Sequence, residues 1–343
     1  MRPTTAYRVG RPGADLAPTT IERRDLRPDD VAVRVSHCGV CHTDLHAVRA
    51  ESGFPVVPGH EFVGEVVETG SAVSGFRVGD PVAVGNIVDS CGTCPSCLRG
   101  QENYCREFPT LTYGGTDRID GSTTMGAYSA EYVVRESFVY HRPAHLDPAG
   151  VAPLMCAGAT VWEPLRAFGA GEGTSVGVVG LGGLGHLAVR LAHALGAHVT
   201  VFTRTAGKAD DARALGADEV VVSTDDDAMA AHADSLDLVI DTVSAPHALE
   251  PYLRVVAVDG TLCSLGFLGT VTVETMALLV GRKRLSSSGS AGRPSTQEML
   301  DFCGEHGIVA DVEVLPSARV GEALTRLADN DVRYRFVLDL GDL

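Results

Sequence analysis

Positive charge is what this sequence is short of. Its 28 Lys and Arg stand against 44 Asp and Glu, a formal net charge of −16. Phosphate backbones are bound through clustered cations, so this balance argues against a nucleic-acid partner and leaves room only for a small local basic site. No apolar run reaches the ~18 residues of a spanning helix, which argues against a membrane. The opening, M-R-P-T-T-A-Y-R-V-G, lacks the apolar stretch of a secretory leader. There is no internal repeat and no low-complexity tail. The expected location is the cytoplasm. What remains is ordinary globular material, 45% apolar and 21% charged. At 343 residues the chain is too long for one comfortable core and predicts two domains.

Cysteine is present in an odd number, nine, and four of the nine fall in one stretch. Cys91 to Cys105 reads C-G-T-C-P-S-C-L-R-G-Q-E-N-Y-C. A reducing compartment disfavours disulfides. Cysteines two residues apart in a tight Gly/Pro loop turn their sulfurs inward around one ion. Zinc suits the set Cys91, Cys94, Cys97 and Cys105, because it accepts four thiolates in a tetrahedron. Iron–sulfur clusters use similar spacing, but nothing else in the chain points to electron transfer. A closed four-thiolate site has no open position and does no chemistry, so its role is to pin a long loop.

A second donor set is scattered. It comprises Cys41 in C-G-V-C-H-T-D-L-H, His60 and Glu61 in P-G-H-E-F, and Cys156 in L-M-C-A-G-A-T. One histidine and two cysteines from distant segments form the three-ligand type of site that leaves a coordination position open. Glu61 would either approach the metal or act behind its ligands. On spacing alone the signal is weak, and Cys156 reads equally as a small buried apolar residue.

From Thr174 the chain reads T-S-V-G-V-V-G-L-G-G-L-G-H-L-A-V-R-L-A-H-A-L-G-A-H-V-T-V-F-T. Val176–Val179 reads as a strand, Gly180 to Gly185 as G-x-G-x-x-G, His186–Leu195 as a helix stopped by Gly196, and Val199–Phe202 as the next strand. Gly180 would make the tight turn, Gly182 would admit a pyrophosphate to the backbone, and Gly185 would let helix and strand pack closely. Gly183 and Leu184 complete the loop ahead of the helix N-terminus. A helix near Lys208–Leu215 and strands at Glu219–Val222, Leu238–Asp241 and Gly260–Leu265 continue a parallel sheet. The second strand lacks the carboxylate that would bind ribose hydroxyls. It ends instead in Thr203, Arg204 and Thr205, with Lys208 close behind. Hydroxyls and cations there predict a 2′-phosphate, hence NADP(H).

Taken together, C-G-V-C-H-T-D, P-G-H-E, the four-cysteine loop, C-A-G-A-T and G-L-G-G-L-G resemble the zinc-dependent medium-chain alcohol dehydrogenases. Within them the chain is most similar to the cinnamyl alcohol dehydrogenase-type subgroup and its bacterial NADP-dependent aldehyde reductases. The likeness runs from V-R-V-S-H-C-G-V-C to N-D-V-R-Y-R-F-V. It implies a GroES-like, mostly-β catalytic domain over 1–148 and a Rossmann doubly wound α/β domain over 149–285. Residues 286–343 would return to complete the first domain, with the active site in the cleft between the two. It also implies a homodimer through the Rossmann edges.

The resemblance makes Cys41, His60 and Cys156 the catalytic zinc ligands, with Glu61 as alternate or neighbour, and the four-cysteine loop the structural zinc site. It makes Thr43 the hydroxyl that meets the substrate oxygen, His46 the outer end of the proton relay, and His42 the basic residue facing the cofactor pyrophosphate. Histidine exchanges protons near neutrality, which suits the relay. Asp44 is a candidate to orient His60 or another ligand. Cys38, Cys263 and Cys303 are expected as small buried residues. The implied reaction is reversible hydride transfer between NADPH and aldehydes, with reduction of an activated C=C or C=N bond as the alternative. An intact Thr43–His46 pair favours the carbonyl. Two departures bear on the small-molecule substrate. S-S-S-G-S-A-G puts Gly289 where the subgroup often carries an aromatic, and V-W-E-P-L puts Trp162 and Glu163 where smaller or neutral residues are usual. Strict cinnamyl specificity is therefore not expected, and a broad range of primary alcohols and aldehydes is. Tyr113 is a candidate pocket residue.

Overall fold

The computed structural model describes residues 1–343. The chain divides into two compact units, Met1–Cys156 with Ala291–Leu343, and Ala157–Ser290.

The first unit is built on one long strand, Asp30–Val40. In its V-A-V-R-V run Val31, Ala32, Val33 and Val35 are buried and Arg34 is exposed, and the strand has neighbours on both edges. Phe62–Thr69 pairs antiparallel along one edge. Glu131–Arg135 pairs with the first part of the other edge and Arg335–Asp339 with the last part. The full sheet has seven strands and is continued by Pro81–Val84 and Tyr140–His141 on one side and Val312–Pro316 on the other. Val31, Val33, Phe62, Val82, Tyr128 and Phe336 fill its core. Each large apolar side chain taken fully out of water contributes roughly 1.5–3 kcal/mol. A hairpin of Arg2–Arg8 with Ala17–Arg23 and a short pair of Ile87–Asp89 with Thr110–Leu111 complete the unit.

The second unit is a six-stranded, all-parallel sheet. Its order is Glu219–Val222, His198–Thr203, Ser175–Val179, Leu236–Asp241, Val256–Ser264 and Arg284–Ser287. The chain starts in the middle, winds to one edge and then to the other. That is the doubly wound order, and ligands gather where the winding reverses, beyond the carboxyl ends of the strands. The Gly185–Ala194 helix puts Leu187, Ala188, Leu191 and Ala192 on its buried side and ends at Gly196, whose φ of 87° needs no side chain.

The expected divides at 148/149 and 285/286 fall inside elements that stay with one unit. The turns Pro148–Val151 and Ala152–Met155 pack on the Asp30–Val40 and Phe62–Thr69 strands, which keeps them in the first unit. Ser286 and Ser287 pair with Cys263 and Ser264, which keeps them in the second. No helix is long and apolar enough to cross a membrane.

Candidate metal centres and cofactor loop

The long central strand ends at Val40, and the next residue, Cys41, opens the His42–Arg49 helix. Asp44 sits in the first turn of that helix and is completely buried. A buried carboxylate must be satisfied by donors, and Asp44 has three. Its Oδ2 accepts the Cys41 N–H at 2.9 Å. Its Oδ1 accepts the Gly59 N–H at 2.9 Å and lies 3.1 Å from His60 Nδ1. Gly59 has φ 97°, a conformation that turns the P-G-H-E segment so that both its N–H and the His60 ring face Asp44. With Nδ1 bound to a carboxylate, His60 presents Nε2 on the other side of the ring. That nitrogen lies 3.3 Å from Cys156 Sγ. Cys156 follows the Ala152–Met155 turn, and that turn presses close to Gly85, where a Cβ would lie 2.9 Å from the Met155 carbonyl oxygen.

Cys41 Sγ, a His60 ring nitrogen and Cys156 Sγ all lie within 4.8 Å of one another. Zinc bonds of about 2.1 Å to nitrogen and 2.3 Å to sulfur in a tetrahedron imply donor separations of about 3.6 Å, so the set fits one zinc with a fourth position open. The electrostatics agree. The hydrogen bond from Cys156, helped by His60, holds the Cys41 thiol well below its usual pKa, while that same bond and burial push Cys156 up. Burial opposes a charged His60, but Asp44 outweighs it and raises His60 well above the usual range. Two thiols and a charged imidazole share protons here that a metal ion would displace.

Glu61 does not join this donor set. Its carboxylate pairs with Arg335, and both side chains are buried. The sheet makes the pair possible. Phe336 pairs with Val40 and Val337 with Gly39 on one edge, while Gly39 N–H donates to the Glu61 carbonyl on the other. Gly39 has to be glycine, because a Cβ there would run into the Glu61 side chain, coming within 2.8 Å of its Cγ. Burial pushes Glu61 up to about 7 even with Arg335 beside it. The sequence named Glu61 but not Arg335. The only signal for Arg335 was an arginine directly ahead of the apolar run Phe336–Leu338.

Thr43 Oγ1 lies 3.7 Å from Cys41 Sγ. Thr43 and His46 are both exposed, three residues apart and so on one face of the helix. His42, the first residue of the helix, is exposed as well. Tyr113 packs edge-on against His60, with ring centroids 5.8 Å apart, so it touches the donor set from the side.

The four-cysteine loop closes as its spacing requires. Cys91, Cys94, Cys97 and Cys105 sulfurs lie within 4.8 Å of one another. Cys94 to Cys97 is 3.5 Å and Cys91 to Cys97 is 3.8 Å, against the edge of about 3.8 Å expected for a zinc tetrathiolate. Backbone N–H groups point at the sulfurs, from Cys94 to Cys91 and from Arg106 to Cys94. The Arg106 and Cys97 N–H groups push Cys94 down to about 6, while burial pushes Cys97 up to about 12. Cys38, Cys263 and Cys303 are buried.

In the second unit the glycines occupy the places their roles require. Gly180 has φ 86°. A Cβ on Gly185 would collide with the Gly180 carbonyl oxygen, and a Cβ on Gly182 would meet nothing within 4 Å. That open space above Gly182 is what a pyrophosphate needs. No side chain caps the Gly185–Ala194 helix at Leu184, which leaves its first turn to a ligand. Thr203 is buried, while Arg204, Thr205 and Lys208 are exposed where the His198–Thr203 strand ends. Lys208 Nζ donates to the Leu181 carbonyl at 2.9 Å. Trp162 is core: it is 1% exposed, with the Arg166 guanidinium 5.5 Å from its ring centroid. Gly289 is exposed, and a Cβ on it would meet nothing within 4 Å.

Two known families match the chain. The Alcohol dehydrogenase GroES-like domain covers residues 27–144 and the Zinc-binding dehydrogenase family covers 183–305. An aldehyde reductase of Escherichia coli, YahK, is 47% identical over 340 residues, 97% of this chain and 96% of that protein. A cinnamyl alcohol dehydrogenase structure from Sorghum bicolor superposes with a TM-score of 0.94 at 43% identity, covering 98% of each chain. A Helicobacter pylori structure described as CAD complexed with NADP(H) superposes with a TM-score of 0.91 at 31% identity, over 99% of this chain and 98% of that one.

Proposed function

Since the chain belongs to the zinc-dependent medium-chain dehydrogenases, we propose that it is an NADP(H)-dependent alcohol dehydrogenase acting mainly as an aldehyde reductase on a broad range of primary alcohols and aldehydes. The observation that carries this reading is the Cys41–His60–Cys156 donor set, with Cys41 and His60 buried and Cys156 partly so, and the Thr43 hydroxyl beside it. In that set a bound zinc would polarise the substrate oxygen, and a bound nicotinamide would carry the hydride.

The chain's own residues do the rest. Cys41, His60 and Cys156 hold the metal, and Asp44 fixes the ring of His60 and the start of the helix that carries Cys41 and Thr43. Thr43 Oγ1 exchanges the proton of the substrate oxygen. His46, on the same helix face and open to water, passes that proton to solvent or returns it. Glu61 is held back by Arg335, close to the ligands but outside their set. Thr203, Arg204, Thr205 and Lys208 bind the 2′-phosphate of the cofactor, and glycine at 289 in place of an aromatic supports a broad aldehyde range over a strict cinnamyl preference.

The location and assembly belong to the same reading. Nine unpaired thiols, six of them in two metal-ligand clusters, suit the reducing cytoplasm. The outer edge of the Arg284–Ser287 strand has no partner strand in the chain, and Met276, Leu279 and Val280 nearby are exposed. A second copy joined there would satisfy the edge and cover the apolar surface.

The test follows cofactor absorbance in zinc-replete protein supplied with NADPH or NADH and a panel of saturated, aromatic and α,β-unsaturated aldehydes, with products identified. Unsaturated alcohols formed from unsaturated aldehydes with NADPH support the reading. Saturated aldehydes as products would move the assignment to alkene reduction, and equal use of NADH would remove the 2′-phosphate role.

A further inference from the structure

The loop that carries the cofactor glycines has a mechanical problem. Gly180 and Gly182 are there so that the backbone can turn sharply and lie open. The same freedom lets the loop flip its peptide planes, and a flipped plane presents a carbonyl to the phosphate instead of an N–H. Two side chains address this, and both grip carbonyl oxygens. His186, completely buried one residue into the helix, brings Nδ1 to 3.1 Å from the Gly182 carbonyl. The backbone N–H of His186 reaches the same oxygen at 3.0 Å. A carbonyl only accepts, so the ring proton sits on Nδ1. Lys208, beyond the end of the neighbouring strand, donates its ammonium to the Leu181 carbonyl at 2.9 Å. Two consecutive carbonyls of the loop are therefore tied back, one by an imidazole ring and one by a lysine ammonium.

We propose that His186 and Lys208 are positioning residues that lock the glycine loop in its phosphate-binding form, and that Lys208 also couples this lock to the 2′-phosphate. The inference rests on the NADP(H) reading above for the second half alone. The loop lock concerns the pyrophosphate, which NADPH and NADH share. The consequence for Lys208 is specific. A lysine that only read the 2′-phosphate would matter to NADPH and be neutral or harmful to NADH. A lysine that also holds the Leu181 carbonyl supports both cofactors. His186 should support both equally, since nothing in its contact with Gly182 distinguishes them.

The experiment measures dissociation constants of NADPH and NADH by fluorescence titration, without substrate, for the wild type and four variants, with His186→Gln as a fifth if His186→Leu does not fold. The variants are Lys208→Met, Lys208→Arg, His186→Leu and His186→Asn. An asparagine amide can take the place of Nδ1, so His186→Asn is the conservative control. Losing a charge-assisted hydrogen bond costs about tenfold in binding. Lys208→Met is expected to weaken NADPH by about a hundredfold and NADH by about tenfold. Lys208→Arg should restore most of both. His186→Leu is expected to weaken both by a common factor of about ten, leaving their ratio unchanged, and His186→Asn to stay near wild type.

If Lys208→Met binds NADH as well as or better than wild type, the Lys208 lock is overturned while the 2′-phosphate reading stands. If it weakens NADH and NADPH by the same factor, the lock stands and the 2′-phosphate role falls. If His186→Leu melts at the wild-type temperature and binds both cofactors normally, the His186 lock is overturned. Should His186→Leu fail to fold, His186→Asn decides against His186→Gln, whose longer amide cannot sit at Nδ1: equal binding by these two overturns the lock. A wild type that binds neither nucleotide would overturn the cofactor reading itself.

Discussion

The two metal clusters of the first unit solve one chemical problem in opposite ways. The Cys91–Cys105 cluster takes all its donors from one loop, uses sulfur alone, and leaves Cys91 and Cys94 partly open to solvent. The other cluster draws Cys41, His60 and Cys156 from three separate segments, mixes nitrogen with sulfur, and sits against a buried carboxylate. A loop can wrap an ion by itself and needs only turns and short spacing. A scaffold site needs the sheet to be assembled first, because the strand ending at Val40, the P-G-H-E turn and the turn before Cys156 meet only in the folded unit. Self-sufficiency comes with closure. Four ligands from one loop leave no position for chemistry, whereas three from a rigid scaffold do.

Substitutions should sharpen this contrast. The largest effect is expected from Cys41→Ser, which removes a donor from the scaffold set. Turnover should fall on the order of 10³-fold or more, with one zinc lost per chain by metal analysis and melting little changed. Retained activity without that zinc would break the assignment. Thr43→Val should keep both zincs and lower kcat about 10²-fold, since it deletes a proton-exchanging hydroxyl and nothing that holds metal. A matching loss of zinc would instead make Thr43 structural. Asp44→Asn keeps the shape but not the charge behind His60, and the zinc affinity of the scaffold site should drop about 10–100-fold in a chelator competition. The smallest effect on turnover should come from Cys94→Ser. Kinetics should change only a few-fold, while the melting temperature falls by about 5 °C or more, because that cluster supports a loop and not the reaction. If Cys94→Ser abolished turnover in protein that remained folded, the division between the clusters would collapse.

The same contrast explains what could be read from the amino acids alone. The four-cysteine cluster was legible in full, because local spacing is its whole design. The strand, glycine loop, helix and strand from Ser175 to Thr203 were legible for the same reason. In the scaffold site the ligands could be named through resemblance and Asp44 could be named as a candidate to orient His60, but the full set of supporting contacts could not. Asp44 serves Cys41, Gly59 and His60 together, which only tertiary packing reveals, and Arg335 reaches Glu61 across a pairing of distant strands. The side that Trp162 faces was not legible, because a ring in a helix next to a ligand segment gives no local sign of it. Burial, not pattern, assigned it to the core.

The first unit is discontinuous, made of Met1–Cys156 and Ala291–Leu343, with all of Ala157–Ser290 between them. During synthesis a chain emerges from its N-terminus onward, and domains tend to fold as they emerge. The nucleotide-type sheet is one continuous stretch and can close as soon as Arg284–Ser287 is out. The metal-bearing sheet cannot, because the strand that covers its central edge and neutralises Glu61 is still unmade. Cys41, His60 and Cys156 therefore wait in an open-edged half-domain until the whole of Ala157–Ser290 and then the Arg335–Asp339 strand have been made.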